Sequence, residues 1–254
     1  MTFLVIIPAR YASTRFPGKP LAMLGDKPVI QHVYEQAFKA LDNVVVATDD
    51  LRIFHAVPSA IMTRADHRCG TDRCLEAMEK WLTNHPSVNT DDLVVINVQG
   101  DEPFIQPEQI KALCQCFDSP DTDIATLVRP FTERDDWQAL QNPNTPKVVF
   151  NNQNQAILFS RSIIPYLRGI PESQWLAQHK HFRHIGMYAY RASVLRQITQ
   201  LPPSPLELAE SLEQLRWLEN GYTIRIAVTD TPTIGIDTPD DLEQALQFMK
   251  KNNL

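Results

Sequence analysis

The chain has 254 residues, 43% of them hydrophobic and 21% charged, with a formal net charge of −6. That length holds one large α/β domain or a domain with a sizeable insertion, and the composition is that of an ordinary globular protein. The acidic balance argues against nonspecific nucleic-acid binding, and no apolar run is long enough to cross a bilayer. Anionic substrates would then need local cations against a repulsive background.

The opening residues, Met1 to Arg10, contain a short apolar run without the basic region of a secretion signal. They read as a buried first strand, which places the expected protein in the cytoplasm with no membrane partner. Phe3 to Ile7 is continuously apolar, Val29 to Leu41 has helical spacing, and Val44 to Ala47 is strand-like. Thr71 to Leu82 predicts a helix with Thr71 as N-cap after Gly70. Leu93 to Val98 predicts a strand, Pro107 to Phe117 a helix, and Ile124 to Val128 another strand. Alternation of this kind, with strands apolar on both faces, indicates a mostly parallel sheet with flanking helices.

The middle of the chain changes character. Lys147 to Phe150 and Ala156 to Phe159 flank a polar stretch and predict a β-hairpin; His184 to Tyr190 predicts a further strand. Residues 131–190 therefore read as a β-rich insertion, between a half at 1–130 and a C-terminal part at 191–254 that completes one domain. Ser204-Pro205-Leu206-Glu207 is a capping box opening a helix that Gly221 closes, and Thr238-Pro239 opens the last helix. On the first of these helices, Leu206, Glu210, Glu213 and Trp217 fall on one stripe, which sets Glu213 among apolar neighbours. Cys69, Cys74, Cys114 and Cys116 match no zinc ribbon or CxxC spacing and read as reduced structural thiols.

Four segments carry chemistry. After the first strand, Arg10, Arg15 and Lys19 gather within ten residues, either as a solvated basic loop or as an anion site beyond a strand end. The segment is neither a dinucleotide fingerprint nor a P-loop. Thr63 to Arg73 is a polar loop whose backbone N–H groups suit an anion or a nucleobase, or simply cap a helix. Asp101 follows the most apolar strand in Asn97-Val-Gln-Gly-Asp-Glu-Pro103, and Asp237 precedes the last helix. One or two carboxylates completed by substrate phosphates is the usual way proteins hold Mg²⁺, although alone Asp101 also reads as a turn carboxylate and Asp237 as a helix-entry carboxylate.

These segments, with Phe159-Ser-Arg161, His184-Ile-Gly-Met-Tyr188, Ser204 to Glu207, Leu212-Glu-Gln-Leu215 and Gly235 to Leu242, resemble the 3-deoxy-manno-octulosonate cytidylyltransferase family. They occur in the family's order from the first strand to the last helix. Cys69 departs from the family's usual Ser. The resemblance implies a nucleotide-diphospho-sugar transferase-like fold with a dimerisation insertion. It implies a homodimer that uses CTP, Mg²⁺ and the acidic sugar 3-deoxy-manno-octulosonate (Kdo). Pro8, Ala9, Arg10, Ser13, Lys19 and Arg73 would serve the nucleotide, and Asp101 and Asp237 the metal. Gln99, Arg161, His184, Tyr188, Glu213 and Gln214 would serve the sugar, with Arg15 near the reacting groups. Three other readings compete: a cytidylyltransferase for another acidic sugar, such as 8-amino-Kdo or a sialic acid; a nicotinamide-dependent dehydrogenase, disfavoured by the missing glycine fingerprint; and a non-catalytic sugar-nucleotide sensor.

Overall fold

The structure, a computed structural model, describes residues 1–12, 15–132 and 135–252. The chain forms two compact units. The first contains residues 1–111, 189–199 and 233–254, and the second residues 112–188 and 200–232. These boundaries differ from the divisions expected at 130 and 190. The turn to the second unit comes before the strand Ile124–Pro130, whose pattern matches the strands preceding it.

The sheet of the first unit has the strand order Leu93–Asn97, Thr2–Ala9, Val44–Thr48, Ala60–Met62, every pair parallel. Leu4 to Ile7, Val44 to Ala47 and Leu93 to Ile96 are buried on both faces. Helices cover the sheet, as the unbroken apolar runs require. Among them are Val29–Phe38 and Gly70–Asn84, while the last helix, Pro239–Asn252, packs on a separate cluster with Leu24, Val29 and Phe104. The register pairs Ile6 with Asn97 and Ala9 with Thr48, so the loops after these strands leave the sheet on one edge.

Two details of this unit correct the sequence reading. The strand Ala60–Met62 is too short for a periodic signal. The helix expected from Thr71 begins at Gly70, and its N-cap is Cys69, whose Sγ accepts from Asp72 N–H at 3.5 Å. Cysteine is an unusual cap, because sulfur accepts weakly and at longer range than oxygen.

In the second unit, Ile224–Val228 pairs in parallel with Ile124–Pro130. The strand Phe182–Arg191 begins in this unit. The expected hairpin is present as Lys147–Phe150 against Ala156–Ser160. The helix expected from Pro205 to Gly221 is instead two, Pro205–Glu210 and Glu213–Glu219. Ser211 between them is left-handed at φ 50°, which no continuous helix tolerates. The stripe from Leu206 to Trp217 is therefore not one helical face.

Candidate active site

The carboxyl ends of the first unit's strands open into a cavity of about 310 Å³. Pro8 and Ala9, the last residues of the first strand, line it. So do Arg10, Arg15, Lys19, Arg73, Gln99, Asp101 and Asp237, which brings nine of the expected site residues together. Ser13 lies outside the described residues.

Close backbone approach builds the floor. A Cβ at Gly100 would stand 3.0 Å from the Pro8 carbonyl oxygen, so only glycine fits without movement. A Cβ at Gly70 would stand 3.3 Å from the Pro8 ring. Gly18, left-handed at φ 74°, turns the chain so that its N–H donates to the Tyr11 carbonyl at 2.9 Å. That turn sets Lys19 at the start of a short 3₁₀ helix.

The Lys19 ammonium donates to Asp101 at 2.5 Å and to Asp237 at 3.0 Å. Arg15 pairs with the other oxygen of Asp237 at 3.1 Å. Burial opposes the charge on Lys19, but the two carboxylates outweigh it and hold the ammonium above its ordinary range. Asp237 is brought alongside Asp101 by the backbone, since Ile236 N–H donates to the Asp101 carbonyl at 2.9 Å. The turn is then fixed by Asp241, which accepts from Asp237 N–H and Thr238 N–H at 3.0 and 2.8 Å while its own N–H returns to the Thr238 hydroxyl. This reciprocal cap is what the Thr238-Pro239-Asp240-Asp241 string encodes.

Asp101 and Asp237 suit a hard cation, because their oxygens already converge on a positive charge and both side chains reach solvent. Among the described residues no cluster of three or more His, Cys, Asp or Glu is arranged to hold a metal ion. A cation here would therefore need phosphate or water oxygens to complete its shell.

Arg73 is buried and doubly held, donating to Thr63 Oγ1 at 2.6 Å and to Asp49 at 3.0 Å. Two further features escaped the sequence reading. Glu102 has a buried oxygen without a hydrogen-bond partner among the described residues. Burial, then the charges of Asp101 and Asp237, push its carboxyl up to about 7. His67 lines the cavity and meets Glu76 at 2.5 Å. The sequence offered no cue for that pair beyond their presence on a loop and the helix it enters.

The expected sugar residues divide between the units. Gln99 belongs to the first, where its amide donates to Asn97 at 3.2 Å. In the second unit, the His184 ring packs 5.2 Å from Tyr188, and Tyr188 stands 5.1 Å from Trp217. His184 Nε2 contacts the Thr126 hydroxyl at 3.0 Å, and that hydroxyl donates to the Met187 carbonyl at 2.8 Å. Burial lowers the His184 pKa to about 3, so the ring is neutral. Burial, and then the Glu213 charge, raise the Tyr188 phenol. Glu213 has a cationic partner, accepting from Arg216 at 2.8 Å, and Gln214 beside it has a buried Nε2 without a partner among the described residues. Arg161 is bonded to the backbone. Its guanidinium donates to the backbone carbonyls of Glu210, Pro143 and Ser211, at 2.5, 2.8 and 3.2 Å.

Residues 4–226 match the sequence model of a family described as cytidylyltransferase. The 3-deoxy-manno-octulosonate cytidylyltransferase of Parabacteroides distasonis is 58% identical, with 98% of each chain covered. That of Bacteroides thetaiotaomicron is 56% identical over the whole of both chains. A solved structure of CMP:2-keto-3-deoxy-manno-octonic acid synthetase, complexed with CTP, superposes with a TM-score of 0.87 at 42% identity. It covers 99% of this chain and 100% of its own. On these grounds the chain belongs to the 3-deoxy-manno-octulosonate cytidylyltransferase family.

Proposed function

We propose that the protein transfers CMP from CTP to the anomeric hydroxyl of Kdo, giving CMP-Kdo and pyrophosphate for bacterial lipopolysaccharide synthesis in the cytoplasm. The observation that carries this reading is the Lys19–Asp101–Asp237 constellation, built beyond the strand ends of a chain 58% identical to a Kdo cytidylyltransferase.

Both reactants are anions, so the first catalytic task is charge neutralisation and alignment. Arg10, Arg15 and Lys19 supply cations to the phosphates, and Pro8, Ala9 and Arg73 shape the nucleotide's seat. Asp101 and Asp237 would hold Mg²⁺, which when bound supplies Lewis-acid polarisation and a lowered pKa for a nearby hydroxyl. The attacking hydroxyl loses its proton without a side chain identified as general base.

The sugar-side roles fall to Gln99, Arg161, His184, Tyr188, Glu213 and Gln214. His184 is neutral and serves as a hydrogen-bonding group, while Gln214 has a donor, unsatisfied among the described residues, to offer a hydroxyl. Arg161 acts on the sugar through the carbonyl frame that its guanidinium ties together, or by exchanging one of those bonds for the sugar carboxylate. A homodimer formed through part of 131–190 completes the reading, and sedimentation at micromolar concentration tests it: a fully active monomer would overturn the dimer.

The reaction itself is tested by pyrophosphate release from CTP and Mg²⁺ with Kdo, N-acetylneuraminate or no sugar. Release with Kdo alone is expected. Equal release with N-acetylneuraminate, or none with Kdo, would overturn the assignment.

A further inference from the structure

His67 and Glu76 take no part in the roles assigned above, yet they form a tightly held pair whose histidine lines the nucleotide cavity. The His67 side chain is 5% exposed and Glu76 17% exposed. His67 Nε2 lies 2.5 Å from Glu76 Oε2. Glu76 is itself fixed from other directions, with Lys80 Nζ at 2.7 Å and Arg64 N–H at 3.1 Å. Burial alone would raise its pKa, but these bonds bring it down to about 2, so the carboxylate is ionised.

An ionised carboxylate only accepts hydrogen bonds, so His67 Nε2 donates to Glu76 and Nδ1 is the ring nitrogen left to accept. Nδ1 is left with a lone pair. It has no hydrogen-bond partner among the described residues, and it is not among the buried polar atoms that lack one. The ring lines the cavity, so an acceptor of fixed tautomer stands where a ligand reaches it.

Its position suits the base and not the phosphates. Asp101 follows the strand Leu93–Asn97 on one side of the first strand. The loop bearing His67 follows the strand Ala60–Met62, two places beyond the first strand on the other side. Strands are spaced about 5 Å apart, so the two flanks are separated by roughly 10–15 Å, the reach of a nucleoside triphosphate from phosphate to base.

We propose that His67, held by Glu76, selects cytosine over uracil by accepting a hydrogen bond at Nδ1 from the 4-amino group of the base. Uracil carries a carbonyl at that position, and its lone pairs face the lone pair of the ring. The inference rests on the reading of this cavity as a CTP site. Glu76 is a positioning residue, because it acts only by fixing the tautomer and the plane of the imidazole.

The test is equilibrium binding of CTP and UTP to the full chain without sugar, in wild type, Glu76→Gln and His67→Phe. Wild type should prefer CTP by roughly 10- to 100-fold through this contact. A glutamine amide can donate to Nε2 and move the ring proton to Nδ1, so Glu76→Gln should lower the CTP-to-UTP ratio at least about tenfold. His67→Phe should lower it through loss of CTP binding alone. Equal weakening of both nucleotides, or a wild-type ratio in both variants, would overturn the proposal. Should a variant fail to fold, ¹⁵N-labelled wild type decides: the His67 Nδ1 resonance should shift on adding CTP and not UTP, and an unmoved resonance refutes the contact. If CTP does not bind at all, the reading of the cavity fails as well.

Discussion

Replacing Lys19 with methionine keeps most of the side chain's volume and removes the ammonium on which Asp101 and Asp237 both converge. Both carboxylate oxygens lie within 3.0 Å of that nitrogen, so they are no more than about 6 Å apart. Two negative charges at that distance repel by roughly 3 kcal/mol at an effective dielectric of 20, and by under about 1 kcal/mol in water. Asp237 is 48% exposed and Asp101 27%, so screening places the cost nearer about 1–2 kcal/mol. For a chain of this size that lowers Tm by roughly 2–8 °C. Millimolar Mg²⁺ should recover more of the Tm in the variant than it adds to wild type, because in wild type a cation competes with the ammonium for the same carboxylates. Turnover should fall by about 100-fold or more, the usual cost of losing one charge-stabilising donor. Thermal melts at low ionic strength, with and without Mg²⁺, and pyrophosphate release check the two halves. A variant with unchanged Tm, an unchanged response to Mg²⁺ and near-normal turnover would refute the reasoning.

Three other perturbations follow from the geometry. Cys69→Ser places an oxygen at the helix N-cap, where sulfur accepts at 3.5 Å, and should raise stability by about 0.5 kcal/mol with turnover unchanged; a lower Tm or a large loss of activity would show that the thiol does something else. Gly100→Ala drives a methyl to 3.0 Å from the Pro8 carbonyl, so it should cost about 1–3 kcal/mol and weaken CTP binding; denaturant midpoints equal to wild type would count against the close approach. His184 stays neutral in the fold down to about pH 3 but takes up a proton near pH 6.5 when unfolded. Its contribution is thus intact above pH 6.5 and lost at up to about 1.4 kcal/mol per unit as pH falls below it. His184→Asn should flatten that acid limb in urea titrations at pH 7 and pH 5, and parallel losses in both proteins would refute the assignment.

The central sheet of the first unit was legible because both of its faces are covered, so its strands are written as unbroken apolar runs. The runs at Leu4 to Ile7 and Leu93 to Ile96 left little room for another reading. What escaped was set by tertiary contact. The strand Ala60–Met62 has only three residues, and it is defined by its pairing with Val46 to Thr48. The break at Ser211 depends on a left-handed backbone that a serine does not announce. In the site, Lys19, Asp101 and Asp237 were legible as charges at element ends, where chemistry is expected. Their mutual contact was not, for it depends on a backbone bond between Ile236 and Asp101. Glu102, with a buried oxygen unpaired among the described residues, looks in sequence like one more acidic turn residue. The pairing of His67 with Glu76 likewise needs the helix turned to the right phase against its own leading loop.

The bond from Ile236 to Asp101 also bears on the order of synthesis. The two aspartates are separated by more than half the chain, and a ribosome adding residues at about 5–20 per second delivers Asp237 roughly seven to thirty seconds after Asp101. During that interval the nascent first unit has its sheet strands and Lys19 but lacks the segment that seats the second carboxylate. The second carboxylate of the site is therefore among the last parts to be born, and a chain interrupted before the Gly235 segment would lack the Asp237 that the proposed reaction needs, however well its sheet had formed.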